Sequence, residues 1–409
     1  MAESTIELTA QCLCKQHTFK ANVARSSLPL KAVTCHCNSC RHMTGALYSS
    51  DAPWPADNAG EEIANSTLQR YVFSERITVR FCGTCSSPMF WEWQPGTSRD
   101  TFSVFTGVVL VANDADKASV KDLVQITDAM FVGDTLDGGA APWLRNPNGV
   151  NGNGTKTRLW KGQKDQSEEL PHDWLPPASL PDASKKSHLD QVPLRCRCKS
   201  VDLVLRRWGP ELKDEDPTGA ASWIIDPDTH KGLGSFDACD SCRISSGVDV
   251  FNWTFGLFRQ VGFAGTTMPK TKATEKDEFP ASVNDLKAAL SAHERDPRLG
   301  TLTFFVSSPG IQRFFCNRCS ACVFYASDRL PQFADVALGL LESPDGARAE
   351  DFVSWNFGGD MAWRDDVVGS WREGLVKSIE SEAETWRVER QYPKNFFRIK
   401  KEKAKATQS

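Results

Sequence analysis

The chain has 409 residues, 40% of them hydrophobic and 24% charged, with a formal net charge of -4 and 14 cysteines. That length exceeds one ordinary core and points to two domains with connections. The balance of charge argues against a general nucleic-acid binder, which would show a strongly basic domain. No basic segment leads into an apolar run at Met1–Thr5, and the most apolar stretch, 104–112, falls far short of the ~20 residues that span a bilayer. The expectation is a cytoplasmic protein, with the nucleus left open, no membrane partner and no direct nucleic-acid binding. In that compartment cysteines read as metal ligands or thiols rather than disulfides.

In chain order, the first cysteines are Cys12, Cys14, Cys35, Cys37, Cys40, Cys82 and Cys85; the second series is Cys196, Cys198, Cys239, Cys242, Cys316, Cys319 and Cys322. Each series opens with C-x-C, passes a central cluster and closes with C-x-x-C after an aromatic residue. Such self-similarity predicts two separately metal-stapled domains. Short segments rich in β-branched and aromatic residues, among them 71–73, 77–81, 89–93, 102–106, 248–255, 301–306 and 352–355, predict strands. The domains are expected at 5–145 and 191–365. Between them, 146–190 reads as a partly mobile linker because Asn-Gly and Pro-Pro turns interrupt it. Added polar material at 213–216 and 267–278 reads as surface loop, with a short helix near 283–293. Beyond them, 366–409 carries a helix over 371–388, where Trp371, Leu375, Ile379 and Trp386 recur at helical spacing, and then a basic solvated tail.

The outer pairs Cys12/Cys14 with Cys82/Cys85, and Cys196/Cys198 with Cys316/Cys319, offer four thiolates each, the donor set of a closed structural zinc site. Buried reduced cysteines are the bland alternative, but C-x-C would be an odd way to fill two cores. The inner cluster Cys35-His36-Cys37-Asn38-Ser39-Cys40-Arg41-His42 offers three thiolates from one loop, leaving a fourth position open for a substrate thiol or a water. His36 is a candidate fourth ligand. His36 and His42 are also candidates for proton transfer or for holding the ligands, with ordinary packing or exposure the alternative for each, and Arg41 for neutralising the thiolates or binding a substrate carboxylate. Cys37 and Cys40 alone would also fit a redox dithiol. In the second series Asp237 stands where Cys35 stands, beside Cys239 and Cys242; this is either a harder metal set or a decayed one. Cys322 is a compensating ligand or a free thiol.

These residues resemble the glutathione-dependent formaldehyde-activating enzyme family, also described as CENP-V/GFA domains. The resemblance rests on Gln11-Cys12-Leu13-Cys14, on the cluster 35–41 with Thr44-Gly45-Ala46 beyond it, on Arg80–Ser86, and on Phe105-Thr106-Gly107, Phe131–Asp134 and Ala141-Pro142-Trp143. It covers about residues 5 to 145, with a divergent second copy over about 191 to 360. The resemblance implies a mainly β fold: two Mss4-like zinc-stabilised β domains with a C-terminal helix. It also implies structural zinc on Cys12, Cys14, Cys82 and Cys85, and catalytic zinc on Cys35, Cys37 and Cys40. The implied chemistry is making or breaking a carbon–sulfur bond in an adduct of glutathione or another thiol. The rival expectation is a non-catalytic zinc-binding interaction module. Oligomeric state is not legible in the sequence.

Overall fold

The computed structural model describes residues 4–55, 59–96, 101–111, 121–149, 156–176, 188–209, 219, 221–265 and 278–408. In the first half the strands are β1 (Thr5–Gln11), β2 (Thr18–Ala24), β3 (Leu30–Cys35), β4 (Ser49–Pro53), β5 (Gln69–Ser74), β6 (Ile77–Phe81), β7 (Pro88–Trp93), β8 (Thr101–Phe105), β9 (Val109–Val111), β10 (Val124–Met130), β11 (Arg158–Trp160) and β12 (Glu169–Leu170). In the second half they are β13 (Gln191–Arg195), β14 (Asp202–Arg206), β15 (Gly232–Asp237), β16 (Phe251–Leu257), β17 (Val261–Phe263), β18 (Leu302–Ser308), β19 (Ile311–Cys316), β20 (Cys322–Ser327), β21 (Phe333–Ala337) and β22 (Val353–Trp355). The helices are α1 (Asn38–Thr44), α2 (Ala59–Ala64), α3 (Ala221–Ile224), α4 (Asp240–Ser246), α5 (Val283–Ser291), α6 (Arg372–Glu389) and α7 (Phe396–Gln408). The fold is mainly β, as the short aromatic and β-branched segments predict.

One sheet runs β12-β11-β10-β3-β4-β8-β7-β6-β5 and the other β22-β15-β16-β21-β20-β19-β18. From β10 and β22 onward the two orders correspond strand for strand, and in each the first pair is parallel and the rest antiparallel. Each half adds a small sheet, β2-β1-β9 and β13-β14-β17. The C-x-C pairs follow β1 and β13, Cys82 and Cys85 sit between β6 and β7, and Cys316 ends β19 with Cys319 in the turn before β20. Thus each outer cysteine set joins the small sheet to the large one.

The halves share one continuous apolar core. Trp143 of the first half lies against Phe236, Trp355 and Phe357 of the second, with ring centroids 5.2 to 5.7 Å apart. Close backbone contacts are exchanged reciprocally. The Gly107 amide donates to the Gly247 carbonyl at 2.9 Å, and the Gly339 amide donates to the Gly45 carbonyl at 2.8 Å. Gly45 and Gly247 have φ of +81° and +78°, the left-handed conformation that ends α1 and α4. A Cβ on Gly339 would stand 2.0 Å from the Ala46 carbonyl oxygen, so the backbones meet here only because no side chain intervenes.

Two segments differ from the expectation. The segment read as a linker contributes β11 and β12, and β11 extends the first sheet by pairing parallel with β10. Its buried Leu159, Trp160 and Leu170 supply the apolar anchors, and Trp160 Nε1 donates to buried Asp128 at 2.9 Å. The tail read as a solvated end is the helix α7, held by Asn395 donating to Ser354 and by Arg398 paired with Glu384 at 2.7 Å. The helix expected over 371–388 is α6, and that expected over 283–293 is α5. The polar insertion at 213–216, nearly all of that at 267–278, and linker residues 150–155 and 177–187 lie outside the described residues.

Candidate metal centres and the inner cysteine site

Four groups of side chains bring their ligand atoms within 4.8 Å of one another: Cys12, Cys14, Cys82 and Cys85; Cys196, Cys198, Cys316 and Cys319; Cys35, Cys37 and Cys40; and Asp237, Cys239 and Cys242. Every cysteine and the aspartate expected as metal ligands from the sequence falls in one of these sets. The Sγ separations of Cys12–Cys14, Cys14–Cys82, Cys196–Cys198 and Cys198–Cys316 are 3.5 to 3.6 Å. A disulfide would need about 2.05 Å. Thiolates at ~2.3 Å from a tetrahedral zinc stand about 3.8 Å apart, so the donor sets fit a metal. Backbone amides also point at the sulfurs: His17 to Cys12 at 3.3 Å, Cys14 to Cys85 at 3.4 Å, Val201 to Cys196 at 3.3 Å and Cys319 to Cys316 at 3.4 Å. Such donors favour the charged thiolate, the form that binds metal.

The inner set is built by the turn from β3 into α1. Cys35 ends the strand, Cys37 caps the helix and accepts from the Cys40 amide at 3.3 Å, and Cys40 lies in the first turn. Hydrogen bonds from Cys35 and Cys40 hold the Cys37 thiol down to about 3, while hydrogen bonding with Cys35 and Cys37, and then burial, raises Cys40. The cluster therefore concentrates negative charge on Cys37 even without an added cation. Asn38 anchors the loop from below: its amide donates to Asp134 Oδ2 at 2.7 Å.

The polar neighbours of this set are firmly held. His36 is fully enclosed, with Nε2 3.1 Å from Thr34 Oγ1, its ring stacked on Tyr48 and its Nδ1 without a partner among the described residues. It is not among the converging ligand atoms. Burial lowers its pKa to about 4, so it is neutral at pH 7. Arg41 is buried and donates through Nη1 to the carbonyls of Gly339 and Leu341, at 2.8 and 2.7 Å, and through Nε to Asn38. Those donors tie the two halves together. His42 places Nδ1 2.5 Å from the Arg195 carbonyl, and burial, reinforced by Arg41, lowers its pKa to about 3. Its Nε2 lies 3.9 Å from Glu342.

Between the halves, Ser39, Arg41 and His42 of α1 face Arg197, Lys199 and Glu342 across a recess of about 340 Å³. The Arg197 guanidinium lies 5.4 Å over the Phe73 ring. Arg197 is the residue enclosed by the second C-x-C pair, where the first pair encloses Leu13. The C-x-C spacing leaves that position unspecified, and only the packing of the halves puts Arg197 beside α1.

The second inner set is organised differently. Asp237 Oδ1 accepts from the Cys239 amide at 2.7 Å, and its Oδ2 from Trp253 Nε1 at 3.0 Å and from the Cys242 thiol at 3.4 Å. Buried Arg313 places Nη1 3.5 Å from Cys242 Sγ. Burial alone would lower the pKa of Arg313, but the sulfurs of Cys242, Cys322 and Cys239 around it raise it. Cys322 is buried and stands outside the four-sulfur set, its thiol pushed up to about 12 by burial. Arg313 and Trp253 carry no sign in the sequence that they converge on this set, because strand spacing alone does not bring them together.

The family model described as Glutathione-dependent formaldehyde-activating enzyme matches residues 7–122. No curated protein and no solved structure matches the chain.

Proposed function

We propose that the first half is a zinc-dependent carbon–sulfur lyase, or thiol-adduct-forming enzyme, acting on a conjugate of glutathione or a similar thiol. One observation carries the reading: within the family-matched residues, the three sulfurs of Cys35, Cys37 and Cys40 converge beside a separate, complete four-sulfur set. In this reading Cys12, Cys14, Cys82 and Cys85 hold a structural zinc, and Cys35, Cys37 and Cys40 hold a second with one position free. A zinc bound there would lower the pKa of a substrate thiol and present it as a thiolate.

The chain's own residues bind and orient. Arg197 and Lys199 supply positive charge next to α1, suited to the carboxylates of a peptide-like thiol. Arg41 and His42, anticipated as substrate-handling groups, instead hold α1 against the second half through the carbonyls of Gly339, Leu341 and Arg195. His36, enclosed and neutral, braces the turn that presents Cys35 and Cys37.

The second half, read as a divergent second copy over 191–365, faces α1 across that recess. We extend the reading to two Mss4-like domains at 5–145 and 191–365, joined through 146–190, and to a cytoplasmic setting. For the second inner set, the Arg313–Cys242 contact favours a packing role over chemistry. The test is Cys37→Ala. The variant should fold, carry one zinc fewer per chain and lose turnover of S-hydroxymethylglutathione; turnover surviving without that zinc overturns the reading.

A further inference from the structure

The second inner set places two thiols side by side on the turn from β15 into α4. Cys239 caps that helix and Cys242 lies in its first turn, so the pair has C-x-x-C spacing. Residues three apart at the start of a helix have Cα atoms about 5 Å apart, inside the range that a disulfide spans. The two sulfurs and the Asp237 carboxylate already lie within 4.8 Å of one another. Closing the sulfurs to the ~2.05 Å of an S–S bond is within reach of side-chain rotation.

The surroundings of this pair differ from those of its counterpart. In the first half the third donor is Cys35, a soft ligand suited to zinc. In the second half it is Asp237, whose oxygens are already engaged by the Cys239 amide, Trp253 Nε1 and the Cys242 thiol. Arg313 adds a fixed positive charge 3.5 Å from Cys242 Sγ, held in place by Ser245 Oγ at 3.5 Å and by the Tyr325 ring. The packing that disfavours a metal here, and with it zinc chemistry, leaves the dithiol itself intact. Its two members are unequally placed: Cys239 is half-buried, whereas Cys242 is only 4% exposed. An accessible thiol three residues before an enclosed one suits a pair in which the first attacks and the second resolves.

We propose that Cys239 and Cys242 form a thiol–disulfide exchange site that reacts with low-molecular-weight disulfides, glutathione disulfide among them. The site is independent of the carbon–sulfur reading of the first half. The Cys239 thiolate attacks one sulfur of glutathione disulfide. A Cys239–glutathione bond forms as the S–S bond of the reagent breaks, and one glutathione leaves with that electron pair. The Cys242 sulfur then attacks Cys239 Sγ and displaces the second glutathione, closing the internal disulfide. The two thiol protons end on the two departing glutathiones. The dithiol loses two electrons and the reagent gains two, so no other reactant is needed, and excess glutathione runs the sequence backward. Under reducing conditions such bonds are transient and serve exchange or sensing instead of structural stapling.

The experiment equilibrates the full zinc-loaded chain in mixtures of glutathione and glutathione disulfide, quenches it with acid and alkylates the remaining thiols. Lys231 and Arg243 bound a tryptic peptide that holds Cys239 and Cys242 and no other cysteine, so mass spectrometry reads this pair alone. The peptide should lose two hydrogens as the disulfide fraction rises and regain them in excess glutathione, with the zinc content of the chain constant. Samples quenched early should carry glutathione on Cys239. Cys242→Ser should retain that adduct, and Cys239→Ser should abolish both the adduct and the internal disulfide. Because Cys242 is buried and its variant can misfold, the early-quenched wild type decides the order of attack without it. A peptide that stays a dithiol in excess glutathione disulfide overturns the proposal, as does glutathione arriving first on Cys242. Oxidation that releases one zinc per chain, a zinc that Cys239→Ser lacks, also overturns it, because the pair would then be ligands of a metal. Failure of turnover on S-hydroxymethylglutathione sinks the carbon–sulfur reading and leaves this readout untouched.

Discussion

Arg313 Nη1 lies 3.5 Å from Cys242 Sγ, so a fixed guanidinium stands where the second inner set would receive a cation. In the first half the strand position that corresponds to Arg313 is Val79, which carries no charge. A metal entering among Asp237, Cys239 and Cys242 has to share that space with a resident positive charge. Metal analysis of the purified chain is expected to give about three tightly held zincs, matching the two four-sulfur sets and the Cys35 set. Cys239→Ser should leave that number unchanged, whereas Cys40→Ser should lower it by one. Loss of one zinc in Cys239→Ser would show that Arg313 accompanies a metal instead of replacing it.

The reciprocal glycine contacts predict a sharp sensitivity to single methyl groups. Gly339→Ala would place a Cβ 2.0 Å from the Ala46 carbonyl oxygen, and backbone cannot yield as a side-chain tip can. A loss of about 4 kcal/mol or more is expected in denaturant unfolding. Gly96→Ala is the control: its φ is +74° with nothing within 4 Å, so it should cost only about 1–2 kcal/mol from backbone conformation.

Arg372 joins α6 to both halves. It donates to Asp249 Oδ1 at 2.7 Å and to the carbonyls of Thr106 and Val109 at 2.6 and 3.0 Å, while Thr106 Oγ1 donates to Asp249 Oδ2. Arg372→Met leaves the fully enclosed Asp249 carboxylate without its cation, which should cost about 3–5 kcal/mol. Asp249→Asn combined with Arg372→Met should recover part of that loss, and a double-mutant cycle in urea measures the coupling.

His36 predicts a pH dependence with a definite sign. Its pKa falls from 6.5 unfolded to about 4 folded because burial disfavours the charged ring. Below pH 6.5 the unfolded chain therefore binds a proton that the folded chain refuses, so stability present at neutral pH is lost as pH falls toward 4. For this one group the loss between pH 7 and 5 is about 2 kcal/mol. His36→Gln should show a correspondingly shallower decline over that interval, measured as urea midpoints with zinc in excess. Parallel curves would mean that His36 is protonated in the folded protein.

The sequence made the cysteine sets legible because a metal ligand is set by residue type and short spacing, and both survive between the two series. The strands were legible for a similar local reason: runs such as Ile77–Phe81 and Phe102–Phe105 combine β-branched and aromatic residues. What escaped depends on pairing between distant segments. The Asn-Gly and Pro-Pro turns around 146–176 mask Leu159 and Trp160, whose burial becomes visible only once β11 lies along β10. Arg41 and His42 look like reactive groups in one dimension. In three dimensions the carbonyls of the other half use their donors, a constraint with no signature near position 41.

The exchange of Gly45 with Gly339 and of Gly247 with Gly107 is the arrangement of a two-fold contact, in which each surface meets the other's equivalent. Between separate identical chains, any substitution at such a contact appears twice and both sites change together. Here the two surfaces are encoded at different positions of one chain. One face can lose a cysteine, gain an arginine and keep its grip, while the other retains the three-cysteine set. Covalent linkage also makes their encounter independent of protein concentration, so dilution that would separate a symmetric pair leaves this one assembled.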